Sequence, residues 1–289
     1  MRPVFEWQIG SRTLQLGKRT LIMGIVNVTP DSFSDGGDCL DPQNAMAKAL
    51  HLIDEGAEII DIGGFSTRPG VIIDDNLSEA EELRRILPVI EGLRNHRPKA
   101  LISVDTFRAN VARAAIKAGA DIVNDVSGFL WDKAMPKTVA DLKCAAILMH
   151  MRGKPDEWRK LPPVGDIVTL VKRELRDRAE AAVIAGIKRE RIVLDPGFGF
   201  GKNREENYPL LKRFEELHQI RYPLLAGVSR KSFVGRALAR NGEDAPVTAR
   251  LYGTLAAETS LILKGAHIIR THDAKACADA VKIADIVAS

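Results

Sequence analysis

Short apolar runs alternate with amphipathic stretches along most of the chain. The runs are Leu21–Val26, Ile59–Ile62, Leu101–Val104, Ile122–Val123, Ala145–Met149, Ile192–Leu194, Leu224–Val228 and Ile268–Ile269. Between and after them lie stretches of helical period: Pro42–Glu55, Ser78–Arg94, Arg108–Ala118, Ala134–Leu142, Asp166–Ala185, Arg204–Leu217, Thr248–Lys264 and Ala274–Ile286. Strands this short and apolar, each leading into a helix, predict a parallel sheet buried on both faces. Gly56, Gly119, Gly186 and Gly265 stand just before the next strand, where a left-handed residue ends a helix. Eight units without a break in composition predict one closed (β/α)8 TIM barrel of α/β class over residues 20–289, hence a single domain. The N-terminal segment 1–17 predicts a short hairpin, at 4–17, that closes the barrel bottom. The fourth unit is short in both parts, and 229–247 reads as a connection.

Composition narrows the class. Hydrophobic residues make up 45% and charged residues 28%, which excludes a disordered chain, a coiled coil and a collagen-like repeat. The 42 basic residues leave a net charge of +4 but are spread along the chain, so they favour anionic small ligands over nucleic acid. Cys39, Cys144 and Cys277 are few, odd in number and far apart, against a disulfide framework and for a reducing compartment. No apolar run approaches the ~18 residues that span a bilayer, and the N-terminus lacks a signal-peptide core. The expectation is a soluble cytoplasmic protein that binds neither membrane nor nucleic acid.

Barrels of this kind build their sites at the C-terminal ends of the strands. Polar residues stand there repeatedly: Asn27, Asp61, Asp105, Asn124 with Asp125, His150, Asp195, Ser229-Arg230-Lys231, and Arg270 with His272. A lone Asp at such a place is commonly a helix cap, and Asp61 fits that description. The series as a whole predicts a shared pocket. Arg68, Arg230, Lys231, Arg270 and His272 supply donors suited to phosphate or carboxylate. Asp105, Asn124 and Asp195 suit a flat nitrogen heterocycle, since a carboxylate accepts from an amino group and an adjacent ring N–H together. Asn27 offers a neutral oxygen to Mg²⁺ beside substrate phosphates.

Two loops, Thr29 to Gly37 and Ser66 to Gly70, mix Gly, Pro and small polar residues and read either as surface turns or as water-excluding lids. Asp195 to Asn203 imitates a nucleotide loop. It lacks Ser or Thr after Lys202 and the G-x-G-x-x-G spacing. Its glycines instead predict close backbone approach to a ligand, with Phe198 and Phe200 as a wall.

Five blocks carry a resemblance: Met23 to Gly37, Ser66 to Gly70, Asp195 to Lys202, Ser229 to Ser232, and Ile269 to Asp273. In this order, at the ends of five strands, they resemble the dihydropteroate synthase family from about Thr20 to the end of the chain. That family condenses 6-hydroxymethyl-7,8-dihydropterin pyrophosphate with p-aminobenzoate in folate synthesis and is the target of sulfonamides. The resemblance implies pterin binding by Asp105, Asn124, Asp195 and Lys231, with Met149 packing nearby. It implies pyrophosphate binding by Asn27, Thr67, Arg68, Arg270 and His272, Asn27 also touching Mg²⁺. For p-aminobenzoate it implies Phe33, Thr67, Pro69, Phe200, Lys231 and Ser232. Catalysis would fall to Asp105, Asp195, Lys231, Arg270 and His272, through dissociative loss of pyrophosphate, and the protein would be a homodimer. One departure is Phe65, where the family usually has Glu beside Thr67 and Arg68.

Other readings remain open at this level. A pterin-dependent methyltransferase shares the barrel and the pterin carboxylates, but its pterin carries no pyrophosphate to occupy Arg270 and His272. An aldolase would use Lys231 as a Schiff-base nucleophile, with Arg230 lowering its pKa. A non-catalytic pterin-binding paralogue has Phe65 in its favour.

Overall fold

The computed structural model describes residues 2–29, 41–65 and 77–288. The chain opens with an antiparallel hairpin of β1 (Phe5–Ile9) and β2 (Arg12–Leu16), paired from Phe5↔Leu16 to Ile9↔Arg12. Gly10, at φ 59°, takes the first position of its two-residue turn, where the hairpin twist demands a positive φ. The barrel strands are β3 (Leu21–Asn27), β4 (Ile59–Gly63), β5 (Leu101–Asp105), β6 (Ile122–Asp125), β7 (Ala145–Met149), β8 (Ile192–Asp195), β9 (Leu225–Ala226) and β10 (Ile268–Thr271). They pair in parallel in the order β8-β7-β6-β5-β4-β3-β10-β9. A parallel bridge between Leu194 and Leu224 joins the two outer members, closing the barrel.

The helices are α1 (Pro42–Asp54), α2 (Glu79–His96), α3 (Ala109–Ala118), α4 (Met135–Leu142), α5 (Ile167–Ile184), α6 (Asn207–Lys212), α7 (Ser232–Ala237), α8 (Leu251–Leu263) and α9 (Ala274–Ala288). Side chains cap several starts. Ser78 accepts from the Glu81 N–H at 3.2 Å, and Asp166 from Val168 and Thr169 at 3.1 and 3.2 Å. Gly119 ends α3 at φ 119°, and Gly56, Gly186 and Gly265 are likewise left-handed, as the sequence predicts. None of the helices among the described residues is long and apolar enough to cross a membrane.

Three elements depart from expectation. The predicted helix Arg204–Leu217 divides into a 3₁₀ turn, α6, and a 3₁₀ stretch Phe214–Ile220. Phe214, Leu217 and Ile220 are all buried, and a three-residue spacing aligns them directly in a helix with three residues per turn. The strand expected at Leu224–Val228 contracts to Leu225–Ala226, and the segment 229–247 contains α7.

The hairpin does close the bottom. Trp7, Ile9 and Leu16 are buried against Leu21, Met23, Ile59, Leu101, Ile122 and Ile268 from the first residues of the strands. Trp7 Nε1 donates to the Arg191 carbonyl at 3.2 Å, and His267 Nε2 to that of Pro3 at 2.9 Å. Arg2 reaches the Ala266 carbonyl at 3.1 Å and Asp285 at 2.5 Å.

Glu258 on α8 faces inward and is fully buried, its carboxyl oxygens without a hydrogen-bond partner among the described residues. The Thr271 hydroxyl and Cys277 thiol beside it lower its pKa in part, but burial outweighs them and pushes it up to about 7. A raised carboxyl pKa stabilises the fold fully below the unfolded value, and that contribution disappears as pH rises towards 7. Glu258→Gln is therefore expected to leave stability unchanged near pH 4 and raise it by roughly 3 kcal/mol at pH 8. Urea unfolding at both pH values checks this, and a gain independent of pH would count against it.

Candidate active site

The polar strand ends converge at the mouth opposite the hairpin, but they separate into pocket groups and supporting groups. Asp61, which the sequence offers as a helix cap, is in neither place expected of it. It is the third residue of β4, fully buried and pointing into the barrel. Its Oδ2 accepts from Arg270 Nε at 2.7 Å and from Asn124 Nδ2 at 3.0 Å. Arg270, on β10, also donates from Nη2 to Asp105 Oδ2 at 2.9 Å. One guanidinium thus lies across two carboxylates from β4 and β5.

Two buried like charges near one another cannot both ionise freely. Burial, then Asp61, push the Asp105 pKa up to about 7 against the opposing pull of Arg270. Burial also raises Asp195, which Lys231 opposes, and Asp195 Oδ1 accepts from the Gly197 N–H at 2.7 Å. Lys231 itself is brought down to about 7 by burial, with Asp195 resisting. Its Nζ donates to the Phe198 carbonyl and stands 4.2 Å from the centre of the Phe200 ring. Lys231 therefore feels the charge of Asp195 and Asp105 while it contacts the aromatic wall.

Met149 is buried at the end of β7, in a cluster with Val126, Met151 and Trp158 against which Phe200 packs. Phe200 meets Trp158 edge-on at 5.5 Å. Ser232 is the exposed first residue of α7, and Asn27 the half-buried last residue of β3. His272 follows β10. Burial and the nearby Arg270, Arg230, Lys48 and Lys231 hold its pKa well below the usual imidazole value, so the ring is neutral. Phe33, Thr67, Arg68 and Pro69 lie outside the described residues, as do most of the two candidate lids.

Several sequence assignments change. Arg230 is not a pocket cation: at φ 57° it turns to Asp273, Nε donating at 2.9 Å. Asp125 folds its own loop by accepting from the Ser127 N–H and Oγ, both at 2.7 Å. His150 is fully buried between Glu174, 3.1 Å from Nε2, and Lys202, 3.0 Å from Nδ1. Phe198 is core, stacked between Phe214 and Phe233 at 6.4 and 5.9 Å. The glycine loop presses on protein rather than ligand: a Cβ at Gly197 would sit 2.0 Å from the His150 carbonyl oxygen, and one at Gly201 2.1 Å from that of Arg152.

Lys202 is the residue that sequence reasoning missed. Buried behind the loop, its Nζ donates to the Gly197 carbonyl at 2.7 Å and reaches those of His150 and Phe200, each at 3.3 Å. It holds the curve that presents Phe200. The lysine after the third loop glycine marked its position, but nothing in the sequence marked it as buried.

Phe65 joins an aromatic run. It meets Phe107 edge-on at 5.3 Å, Phe107 meets Trp131 at 5.0 Å, and the Arg108 guanidinium lies 5.7 and 5.2 Å from the first two rings. Arg108 is fixed by Glu82 at 2.8 Å.

Residues 23–272 match the pterin binding enzyme family. A dihydropteroate synthase of Synechocystis is 42% identical over 277 residues, covering 96% of this chain and 93% of that protein. The chain belongs to the dihydropteroate synthase family. The solved Xanthomonas albilineans dihydropteroate synthase with 4-aminobenzoic acid superposes with a TM-score of 0.87 at 41% identity, covering 99% and 98% of the two chains. The same enzyme in complex with 7,8-dihydropteroate gives 0.84 at 39% identity over 98% of each. Family membership removes the aldolase reading.

Proposed function

We propose that this chain condenses 6-hydroxymethyl-7,8-dihydropterin pyrophosphate with p-aminobenzoate, releasing pyrophosphate and 7,8-dihydropteroate, and that the work is divided between two halves of one pocket. The observation that carries the division is the placement of Lys231 between Asp195 on one side and the Phe200 ring on the other.

The pterin half is Asp105, Asn124 and Asp195 on rigid strand ends, with Met149 packing beneath. A carboxylate there accepts from the ring N–H and amino group of the pterin. Arg270 and His272 receive the pyrophosphate, the first as a cation and the second as a neutral N–H donor. Aniline nitrogen is a weak nucleophile, so the C–O bond breaks ahead of attack and its electron pair leaves with pyrophosphate. Asp105 and Asp195 stabilise the cationic pterin methylene, while Arg270 and His272 meet the charge growing on the leaving group. The neutral amine then forms the C–N bond and sheds one proton, needing no general base to activate it. Phe200 and Lys231 wall the second substrate, whose carboxylate is received at Ser232. The roles of Phe33, Thr67, Arg68 and Pro69 rest on the resemblance alone.

Mg²⁺ fits this donor set as an ion carried in with substrate. Asn27 supplies one neutral oxygen on the strand next to β10, and no group of three His, Cys, Asp or Glu suited to a metal occurs among the described residues. Mg²⁺ ordinarily takes one or two protein oxygens plus substrate phosphates. When bound, it would neutralise part of the pyrophosphate charge.

Pyrophosphate release measured with Mg²⁺ and the pterin substrate, with and without p-aminobenzoate, tests the proposal. Release that needs the amine and yields dihydropteroate supports it. Pterin binding without amine-dependent release would favour the non-catalytic paralogue.

A homodimer is supported by the outer face of α8 and α9. Tyr252 is 83%, Ile283 66%, Ile286 71% and Val287 68% exposed, and the three on α9 share one stripe by their spacing. Light scattering is expected to give twice the 31.7 kDa chain mass, and Ile283→Glu to give monomer. A monomeric native protein at micromolar concentration would remove the dimer. The cytoplasm suits Cys144 and Cys277, both buried free thiols, and cell fractionation checks that placement.

A further inference from the structure

His272 is neutral, and a neutral imidazole donates from one nitrogen only. Which nitrogen that is decides whether the ring offers the pyrophosphate a proton or a lone pair. The answer is held by a residue outside the set already assigned.

Beyond β9 the chain reaches Ser229 and turns sharply at Arg230, whose left-handed conformation is locked from several sides. Its side chain holds Asp273, its N–H donates to Thr254 Oγ1 at 3.0 Å, and its carbonyl accepts from Arg250 at 2.9 Å. The turn sends Lys231 towards Asp195 and leaves Ser229, buried, against the end of β10. Ser229 Oγ lies 2.9 Å from His272 Nδ1, 3.2 Å from the His272 backbone nitrogen and 3.4 Å from Thr271 Oγ1.

A hydroxyl has one proton and two lone pairs. The His272 backbone N–H can only donate, so it takes one lone pair. Thr271 Oγ1 accepts from the Asp273 N–H at 3.4 Å and is the most distant of the three neighbours of Ser229 Oγ, also at 3.4 Å, with Glu258 as a second partner for its proton. The Ser229 proton therefore goes to Nδ1, at the shortest of the three distances, and Nδ1 accepts it.

We propose that Ser229 is a positioning residue that fixes His272 in the tautomer carrying its proton on Nε2, so that this N–H is the donor offered to the departing pyrophosphate. The second half of this statement rests on the proposed function; the tautomer itself does not. Without the hydroxyl, Nδ1 is free to carry the proton, and a share of the molecules turns a lone pair towards an anion.

Ring ¹⁵N NMR of histidine-labelled protein separates the two tautomers, with His272→Gln identifying the signal among the six histidines. The native protein is expected to show Nε2–H at His272, and Ser229→Ala a mixture. The same variant is expected to lose about tenfold in kcat, with the KM for p-aminobenzoate unchanged. A native Nδ1–H form, or an unaltered tautomer in Ser229→Ala, would overturn the proposal. The native spectrum decides even where the variant fails to fold. Separately, undiminished pyrophosphate binding by His272→Gln would sink the reading of His272 and leave the tautomer standing.

Discussion

Replacing Arg270 by Met is expected to lower kcat/KM by about a hundredfold to a thousandfold, the cost of removing one preorganised donor from a developing anion. The loss has a second source in the free protein. Arg270 is the cation between Asp61 and Asp105, and the Asp105 pKa already stands at about 7 with it present. Removing it leaves two buried carboxyls with no opposing charge, and the less costly outcome is protonation of Asp105 at neutral pH. A protonated Asp105 loses an acceptor for the pterin ring. Pterin affinity of the variant should therefore weaken at pH 7 and recover as pH rises, whereas a defect confined to pyrophosphate would leave pterin binding alone. Calorimetric titration of a pterin lacking the pyrophosphate, across pH 6–9, separates the two. Unchanged binding throughout would mean that Asp105 is not held ionised by Arg270.

Lys231→Ala is expected to cost about a thousandfold in turnover and to raise KM for both substrates, because the side chain serves both halves of the pocket. Its Nζ faces Asp195, donates to the Phe198 carbonyl and lies over the Phe200 ring. Truncation removes the charge partner of Asp195 and one wall of the amine site together. Lys231→Met restores the aliphatic stem without the charge. It should recover the KM for p-aminobenzoate but not kcat. Near-normal turnover in Lys231→Ala would remove this residue from the mechanism.

The convergence of the polar strand ends was legible in the sequence for a physical reason. A short apolar run ending in a polar residue fixes both the strand and the direction of the residue that follows, so Asp105, Asn124, Asp195 and Arg270 could be placed together by type. The same pattern misled at Asp61, where a carboxylate inside a run looks like one at its end. His150 and Asp125 carried the identical signal, yet their partners, Glu174 and Ser127, come from segments whose approach no local pattern encodes. Phe198 looked like a ligand wall because Phe214 and Phe233, which bury it, arrive from elsewhere. Lys202 and Glu258 are charged residues in helix or loop patterns that read as solvated, and only the packed structure takes them out of water. The short α7 was missed because six residues hold too little periodicity to register.

The hairpin beneath the barrel also bears on how the chain is made. Its seat is built from strand starts as late as Ile268, and its ties run from Arg2 to Ala266 and Asp285, separations of 264 and 283 residues. At a synthesis rate of about 5–20 residues per second, the hairpin is made tens of seconds before the segments that tie it down. Until then Trp7, Ile9 and Leu16 have nowhere to go. Early βα units can gather in that interval, but the barrel floor is sealed only once β10 and α9 have been made, and until then the apolar face of the hairpin stays exposed.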